Sequence, residues 1–124
     1  MNEKEIFIEK LKLRTKTLAV DVIDLCNKLM RNTATNVISY QIIKSSSSVA
    51  ANYRAACRAR SKAEFFSKMS IVVEEADETN FWLELILETK LSKDYENLQR
   101  MIQESVEITK IMSKARESSY TRKT

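Results

Sequence analysis

Residues 52–65, with the sequence NYRAACRARSKAEF, decide the fold of this chain. Read at 3.6 residues per turn, the stretch is the end of one helix, a tight corner and the start of the next helix. Ser61 and Glu64 have the spacing of a capping box, in which the hydroxyl and the carboxylate each bind an amide at the start of a helix. Apolar residues keep one helical face before the corner and another after it. Two long amphipathic helices joined so abruptly run antiparallel, so the stretch predicts a helical hairpin.

The helical periodicity continues toward both ends of the chain. The predicted helices span residues 3–31, 36–59, 62–90 and 93–117, and residues 118–124 are predicted to be a frayed basic tail. The apolar period passes unbroken through the serine run at 45–48, so this run is predicted to be helical, with hydroxyls bonded to carbonyls of the preceding turn. Ser92, followed by Asp94, is the predicted cap of the last helix. Short connections predict an all-α protein with one domain, residues 1–124, folded as an antiparallel up-down-up-down four-helix bundle.

The residue types that are missing exclude several kinds of site. The chain contains no Gly, no Pro and no His. Without Gly, neither a phosphate-cradling glycine loop nor a dinucleotide fingerprint can form. Without His, the commonest general base, the Ser-His and Cys-His nucleophile pairs, and most zinc and di-iron sites are excluded. We therefore expect no cofactor and no enzymatic activity.

The two cysteines, Cys26 and Cys57, are too few and too far apart for a disulfide framework or a CxxC site. Each lies beside an apolar helix face, which indicates a reduced, partly buried thiol in a cytoplasmic protein rather than a functional thiol. We find no signal peptide and no apolar run near the roughly 20 residues that a membrane span needs. The sequence therefore predicts a cytoplasmic protein with no membrane partner.

The net charge of +4 hides an uneven distribution along the chain. Residues 1–60 contain eleven Lys and Arg against five Asp and Glu, whereas residues 61–90 contain three against seven. The candidate contacts to nucleic acid or to a partner are Lys44, Arg54, Arg58, Arg60 and Lys62. Arg54 and Arg58 lie one helical turn apart, where like charges repel. Three interpretations remain open: a solvated basic face, ion pairs to the acidic helix of another subunit, and contacts to phosphate.

The third predicted helix is apolar on more than its core face. A helix in a monomeric bundle needs one apolar stripe of about 100°, so the surplus indicates a second packing surface, although chance exposure of a few apolar side chains would also produce it. The candidate oligomer interface consists of Phe66, Val73, Glu75, Glu78, Phe81, Trp82 and Leu85. The acidic run at 74–78 also suggests a site for a hard cation. Its carboxylates do not converge, however, so ion pairs with basic residues, within or between chains, are the favoured interpretation.

Four segments carry a resemblance to a known family. They are residues 41–45 (QIIKS), 48–65 (SVAANYRAACRARSKAEF), 74–78 (EEADE) and 81–85 (FWLEL). In these segments the chain resembles the four-helix-bundle proteins encoded in 23S rRNA intervening sequences, a family also labelled ribosomal S23 proteins. The similarity runs from about residue 14 to residue 91 and is most specific at the corner.

This resemblance implies properties that the residues alone do not. Members of the family are small cytoplasmic bacterial proteins without known enzymatic activity, and their up-down bundles assemble into pentameric rings. Similar proteins are accessory factors of diversity-generating retroelements, in which a basic pentamer contacts nucleic acid and the reverse transcriptase. The positions that match the family's basic corner and acidic helix are Arg54, Arg58, Arg60, Glu75 and Glu78. Ser46 and Ala50 stand where relatives usually carry glycine, and this departure affects the expected assembly rather than the bundle.

Three hypotheses about function follow. The first is a non-enzymatic homo-oligomer, a pentamer by resemblance, whose basic surfaces bind RNA or another nucleic acid. Because aromatic residues are only 7% of the chain, such binding is expected to be directed at the phosphate backbone. The second is a protein-interaction scaffold or accessory factor, for example of a reverse transcriptase, that does not itself bind nucleic acid. The third and weakest is a carboxylate-bridged metal enzyme.

Overall fold

The structure, a computed structural model, describes the backbone of residues 1–121 and the side chains of residues 1–119. This part of the chain folds into four α-helices and contains no β-strand, which confirms the all-α prediction. The helices are α1 (Glu3–Lys28), α2 (Thr33–Ala56), α3 (Lys62–Glu88) and α4 (Tyr95–Thr121). Helix α3 makes the most extensive contacts, with α2 on one side and α4 on the other, whereas α1 contacts α4 least.

The start of α2 lies three residues before the predicted position. Asn32 is the cap: its side chain accepts a hydrogen bond from the Thr35 amide at 2.9 Å, and the Thr35 hydroxyl accepts one from the Asn32 amide, also at 2.9 Å. A threonine thus takes the role that Glu or Gln has in the usual capping box. The prediction that this helix begins at residue 36 was wrong because the short reciprocal cap lets it begin at Thr33.

The corner between α2 and α3 is longer than predicted. Helix α2 ends at Ala56 rather than at residue 59, and residues 57–61 connect it to α3. Ser61 caps α3 as predicted, with its hydroxyl accepting from the Glu64 amide at 3.0 Å. The Glu64 carboxylate, however, accepts from the amide of Arg60 at 3.3 Å, one residue before the cap. Ser61 therefore binds an amide in the first turn of α3, and Glu64 of that turn binds the backbone amide of Arg60 in the connection.

The connection between α3 and α4 has a left-handed residue that is not glycine. Helix α3 ends at Glu88, and Lys90 has a φ of 56° in the left-handed region. The Lys90 amide donates to the Leu87 carbonyl and the Leu91 amide to the Ile86 carbonyl, each at 3.2 Å. These two bonds form a Schellman motif, whose left-handed position glycine usually occupies. Because the chain has no glycine, a lysine takes this position and carries the steric cost of its Cβ.

Helix α4 begins and ends later than predicted. Its cap is Asp94 rather than Ser92: an Asp94 carboxylate oxygen accepts from the Asn97 amide at 3.3 Å, while the Ser92 hydroxyl accepts from the Asp94 amide at 3.2 Å. The helix then continues to Thr121, so the predicted end at residue 117 was wrong. Residues 118–121 of the predicted frayed tail are helical, and residues 122–124 lie outside the described part of the chain.

A single apolar core receives side chains from all four helices, with Val22, Ile42, Met69 and Met101 almost fully buried. Helix α2 is continuous through the serine run, and Ser47 donates to the Ile43 carbonyl at 2.7 Å, as the sequence predicted. Two further serines and their partners form polar links inside the core. The hydroxyl oxygens of Ser45 and Thr79 lie 2.8 Å apart, and the Ser105 hydroxyl donates to the side-chain oxygen of Asn80.

Ion pairs join α1 to α4. The Arg14 guanidinium donates to both carboxylate oxygens of Glu104, at 3.0 and 2.7 Å, and to Glu107 at 3.0 Å. Farther along α1, Asp21 accepts from Arg100 at 3.3 Å. The two-pronged Arg14–Glu104 contact is directional, and with the Asp21–Arg100 pair it joins the two helices whose contact is least extensive among the touching pairs.

Candidate functional site

The five predicted basic contact residues are all exposed. Lys44 and Arg54 lie on the side of α2 that faces away from the core, Arg58 and Arg60 lie in the connection, and Lys62 opens α3. The structure thus places the five cations on the exposed surface of α2, of the connection at 57–61 and of the start of α3.

These cations differ in their contacts. Arg60, whose side chain is 91% exposed, reaches Glu64 at 3.7 Å, a long contact for an ion pair. An antiparallel hairpin that turns near residue 61 predicts Arg58 near Glu64 and Lys44 near Glu78. Within the described residues, however, neither Lys44, Arg54 nor Arg58 forms an ion pair. Three of the predicted cations are therefore available to a partner.

The five cations belong to a stretch of sequence that contains no acidic residue. Between Asp24 and Glu64 the sequence contains seven Lys and Arg and no Asp or Glu. Helix α2 lies wholly within this segment, so its outer face has no carboxylate of its own to neutralise Lys44 or Arg54. Such an uninterrupted positive surface attracts polyanions and acidic protein surfaces.

Helix α3 has the opposite character. Residues 69–89 contain six Asp and Glu and no Lys or Arg. Of the predicted interface acids, Glu75 and Glu78 are half-buried, and a Glu78 carboxylate oxygen accepts a hydrogen bond from the Trp82 indole at 3.2 Å. Within the described side chains, none of the acids at 74–78 forms an ion pair with α1 or α2. The adjacent helices α2 and α3 thus present separate positive and negative surfaces.

The predicted apolar interface residues are covered to different degrees. Val73, Trp82 and Leu85 are half-buried and pack against the core of their own chain. Phe66 is also half-buried, with the Arg116 guanidinium 5.9 Å from the centre of its ring. Phe81 is 51% exposed and meets Trp82 edge to face, with ring centres 4.9 Å apart. Phe81 is therefore the most exposed of the apolar residues in the predicted set.

Two features were missed from the sequence. On α1, Ile6, Leu13 and Val20 are 42%, 64% and 49% exposed and recur every seven residues on the side away from the core. Their spacing was the signal that could have revealed an outer apolar stripe. The Arg14–Glu104 pair joins residues 90 positions apart, and no sequence pattern connects them. The Arg14 hydrogen bonds hold the pKa of Glu104 below its ordinary value.

The acidic, cysteine and tyrosine side chains of the described residues are the remaining candidates for chemistry. No group of three or more Asp, Glu, Cys or His among them is arranged to hold a metal ion. Burial raises the pKa of the Cys26 and Cys57 thiols, so both are protonated, weak nucleophiles at neutral pH. Burial also raises the pKa of the Tyr53 phenol. In the part of the chain that the structure describes, no helix is long and apolar enough to cross a membrane.

The fold and its surfaces define a class of protein: an all-α, four-helix chain with a basic α2 and an acidic α3 side by side. The family model of the 23S rRNA-intervening sequence proteins matches residues 10–114, and the chain belongs to this family. A solved structure from Bacteroides thetaiotaomicron, a protein with unknown function from the S23 ribosomal protein family, is 32% identical, with a TM-score of 0.79. The similarity covers 89% of this chain and 97% of that one. No curated protein matches the chain.

Proposed function

We propose that this protein is a non-enzymatic homo-oligomer that binds RNA through the basic surface of α2 and the corner at 57–61. The observation that carries the proposal is the run of seven Lys and Arg without a carboxylate between Asp24 and Glu64. Within it, Lys44, Arg54 and Arg58 are exposed and form no ion pair with described residues. The membership in a family described by 23S rRNA intervening sequences favours RNA over other polyanions.

The chemistry of the basic surface favours the phosphate backbone as its target. Guanidinium groups bind phosphate with two parallel hydrogen bonds, and each contact releases counterions from the nucleic acid. Tyr40, which is 64% exposed one turn before Lys44, is an aromatic residue on the same helix with the exposure needed to stack on a base. Base-specific recognition needs more such groups. We therefore expect salt-sensitive binding with little sequence preference.

The assembly that we propose is a ring of up-down-up-down bundles, with five subunits by resemblance to the family. In support of the antiparallel arrangement, Arg14 pairs with Glu104 while Asp21, later in α1, pairs with Arg100, earlier in α4. In support of the ring, a basic helix beside an acidic helix favours head-to-tail contacts, in which α2 of one copy meets α3 of the next. Head-to-tail contacts produce closed rings when the rotation per subunit closes.

An RNA titration with charge variants tests the RNA-binding part of the proposal. We expect the double variant R54A/R58A to weaken binding to a fluorescent 23S rRNA fragment, measured by anisotropy from 50 to 200 mM salt. Its plot of log affinity against log salt should be shallower by about 0.7–0.9 for each phosphate group that the variant no longer neutralises. The matched control is K10A/K16A, which removes two exposed charges from α1. An equal effect in both variants, or no salt-dependent binding by the unmodified protein, would refute the proposal.

A second candidate function is a protein-interaction scaffold, such as an accessory factor of a reverse transcriptase, without direct contact to nucleic acid. The acidic surface of α3 supports it, because six carboxylates without a cation would repel a phosphate backbone. This alternative predicts that R54E and E75K each change the mass of the assembly in light scattering, with RNA binding absent throughout. Salt-dependent RNA binding by the unmodified protein would eliminate it.

A further inference from the structure

A cavity of about 540 Å³ lies at the end of the bundle where residues 57–61 connect α2 to α3. It is lined by residues from the first turns of α1 and α3 and from the last turns of α2 and α4. Its volume falls in the range of about 300–1,000 Å³ that is usual for small-molecule sites. The cavity shares the corner at 57–61 with the surface that the proposed function uses, but the outer-face residues Lys44 and Arg54 do not line it.

The wall of this cavity is predominantly apolar. Its apolar residues include Phe7, Ile8, Leu11, Phe65 and Ala115. Leu11 belongs to the buried core, whereas Phe7 is 52% exposed. Covering apolar surface of this kind releases about 25 cal/mol per Å². The cavity is therefore suited to a ligand with an apolar body.

The charged residues among the described lining of the cavity are all of one sign. They are Lys4, Arg60 and Lys62, and no Asp or Glu is among the described lining residues. The pair between Arg60 and Glu64 is exposed and long, at 3.7 Å, so it contributes little and leaves the guanidinium able to turn to a ligand. Glu9 is an acidic residue whose charge contributes to the raised pKa of the lining residue Tyr53, and it forms an ion pair with Lys12 at 3.0 Å.

We infer that this cavity binds a small amphipathic anion, with an apolar body inside the bundle end and one carboxylate or phosphate group between Lys4 and Arg60. Charge and shape select together: the apolar wall disfavours a small hydrophilic anion, and the lining cations disfavour an apolar cation. The same reasoning disfavours a polyphosphate, which would leave the wall uncovered.

Calorimetric titration with a set of matched compounds tests the ligand class. Decanoate and decyl phosphate, kept below micelle formation, should bind saturably with one site per chain, and the stronger of the two identifies the preferred head group. Butyrate lacks the apolar body and decyltrimethylammonium carries the opposite charge, so both should bind at least about ten-fold more weakly. Equal affinity for decanoate and decyltrimethylammonium, or no binding of either decyl anion, would overturn the inference.

Labelling of the two cysteines tests whether decanoate binds in this cavity. Cys57 lines this cavity, whereas Cys26 lines a different one, and both thiols are half-buried with a pKa raised by burial. Labelling with N-ethylmaleimide at about pH 9 supplies enough thiolate at both. Saturating decanoate should slow the labelling of Cys57 at least about three-fold and leave Cys26 unchanged, as read by peptide mass spectrometry. Equal protection of both thiols would mean that decanoate does not bind here.

A pair of variants on α1 tests the charge at the mouth. Lys4 lines the cavity and Lys10 does not, although both are exposed. K4E should weaken decanoate binding about three- to ten-fold, the effect of removing one exposed charge-assisted interaction. K10E makes the same change in net charge away from the site and should leave the affinity unchanged. If both variants weaken binding equally, the attraction is that of the whole protein's charge, and the inference fails.

Discussion

Neutralising Glu104 should loosen the attachment of α1 to α4 in a pH-dependent way. Arg14 donates to Glu104 at 3.0 and 2.7 Å, and the two side chains are 32% and 31% exposed. A charge-assisted hydrogen bond contributes about 1.5–3 kcal/mol when it is buried, and an exposed ion pair about 0.2–1 kcal/mol. This partly exposed, two-pronged pair lies between these limits. We expect E104Q, which keeps the shape and removes the charge, to lower the free energy of unfolding by about 1 kcal/mol at pH 7.

The sign of the pH dependence follows from the pKa of Glu104, which Arg14 holds below its ordinary value in the folded protein. A carboxylate with a depressed folded pKa contributes stability above its unfolded pKa of about 4.3, and this stability is lost as the pH falls through the folded value. The difference between the unmodified protein and E104Q should therefore be full at pH 7 and shrink as the pH falls below about 4.3.

Urea unfolding followed by circular dichroism, at one fixed protein concentration, measures this difference. The control is E107Q: Glu107 makes a single contact to Arg14 at 3.0 Å and its side chain is 61% exposed. This substitution should cost less than about 0.5 kcal/mol. A cost of E104Q that is the same at pH 3 and pH 7, or a cost of E107Q that matches it, would refute the reasoning.

Three further predictions concern substitutions at other positions. K90G should raise the free energy of unfolding by about 0.5–1 kcal/mol, seen as a higher urea midpoint. Lys90 has a φ of 56°, and glycine accepts that conformation without a Cβ clash. T79V should lower the free energy of unfolding by about 1–2 kcal/mol, because it removes the buried hydroxyl partner of Ser45. The double variant S45A/T79V should lower it by less than the sum of S45A and T79V, and urea unfolding of all three variants measures the difference. F81S, at a side chain that is 51% exposed, should leave the thermal midpoint of the isolated chain nearly unchanged while it lowers the mass seen by light scattering.

The proposed assembly and the proposed RNA binding place different demands on the same cations. In a head-to-tail ring, Arg54 would meet either the acidic α3 of a neighbour or a phosphate group. Competition of this kind predicts that RNA binding and ring assembly change together as salt is varied, because screening weakens both. The charge variants at Arg54 and Glu75 separate the two effects.

The helix boundaries show how far local sequence patterns can predict this fold. The apolar period correctly indicated that α2 continues through the serine run, since each serine costs only a few tenths of a kcal/mol in helix propensity. It misplaced the ends, because a cap depends on which side chain reaches which amide. Asn32 with Thr35 starts α2 early, and Asp94 rather than Ser92 starts α4. These choices are made by hydrogen bonds about 3 Å long, which residue spacing alone does not distinguish.

The candidate surfaces show the same division. The cations at the corner were recognisable from the sequence because they are close together in the chain, and all five are exposed. The covering of Val73 and Leu85 by the core, in contrast, depends on how α3 is rotated against α2 and α4. A helical period identifies a face but does not show how wide a strip of it the neighbouring helices cover.

The amino-acid order by itself determined that this chain is helical, that its charges are segregated between α2 and α3, and that it resembles the 23S rRNA-intervening sequence proteins. Each of these properties lies in residues within a few turns of one another, where backbone geometry relates position to face. Only the tertiary structure decided that Arg14 forms an ion pair with Glu104 and that Arg60, rather than Arg58, contacts Glu64. It also decided that the ends of four helices line one cavity whose described wall includes three cations. Those contacts join distant residues or depend on side-chain direction, and packing of the whole bundle sets them.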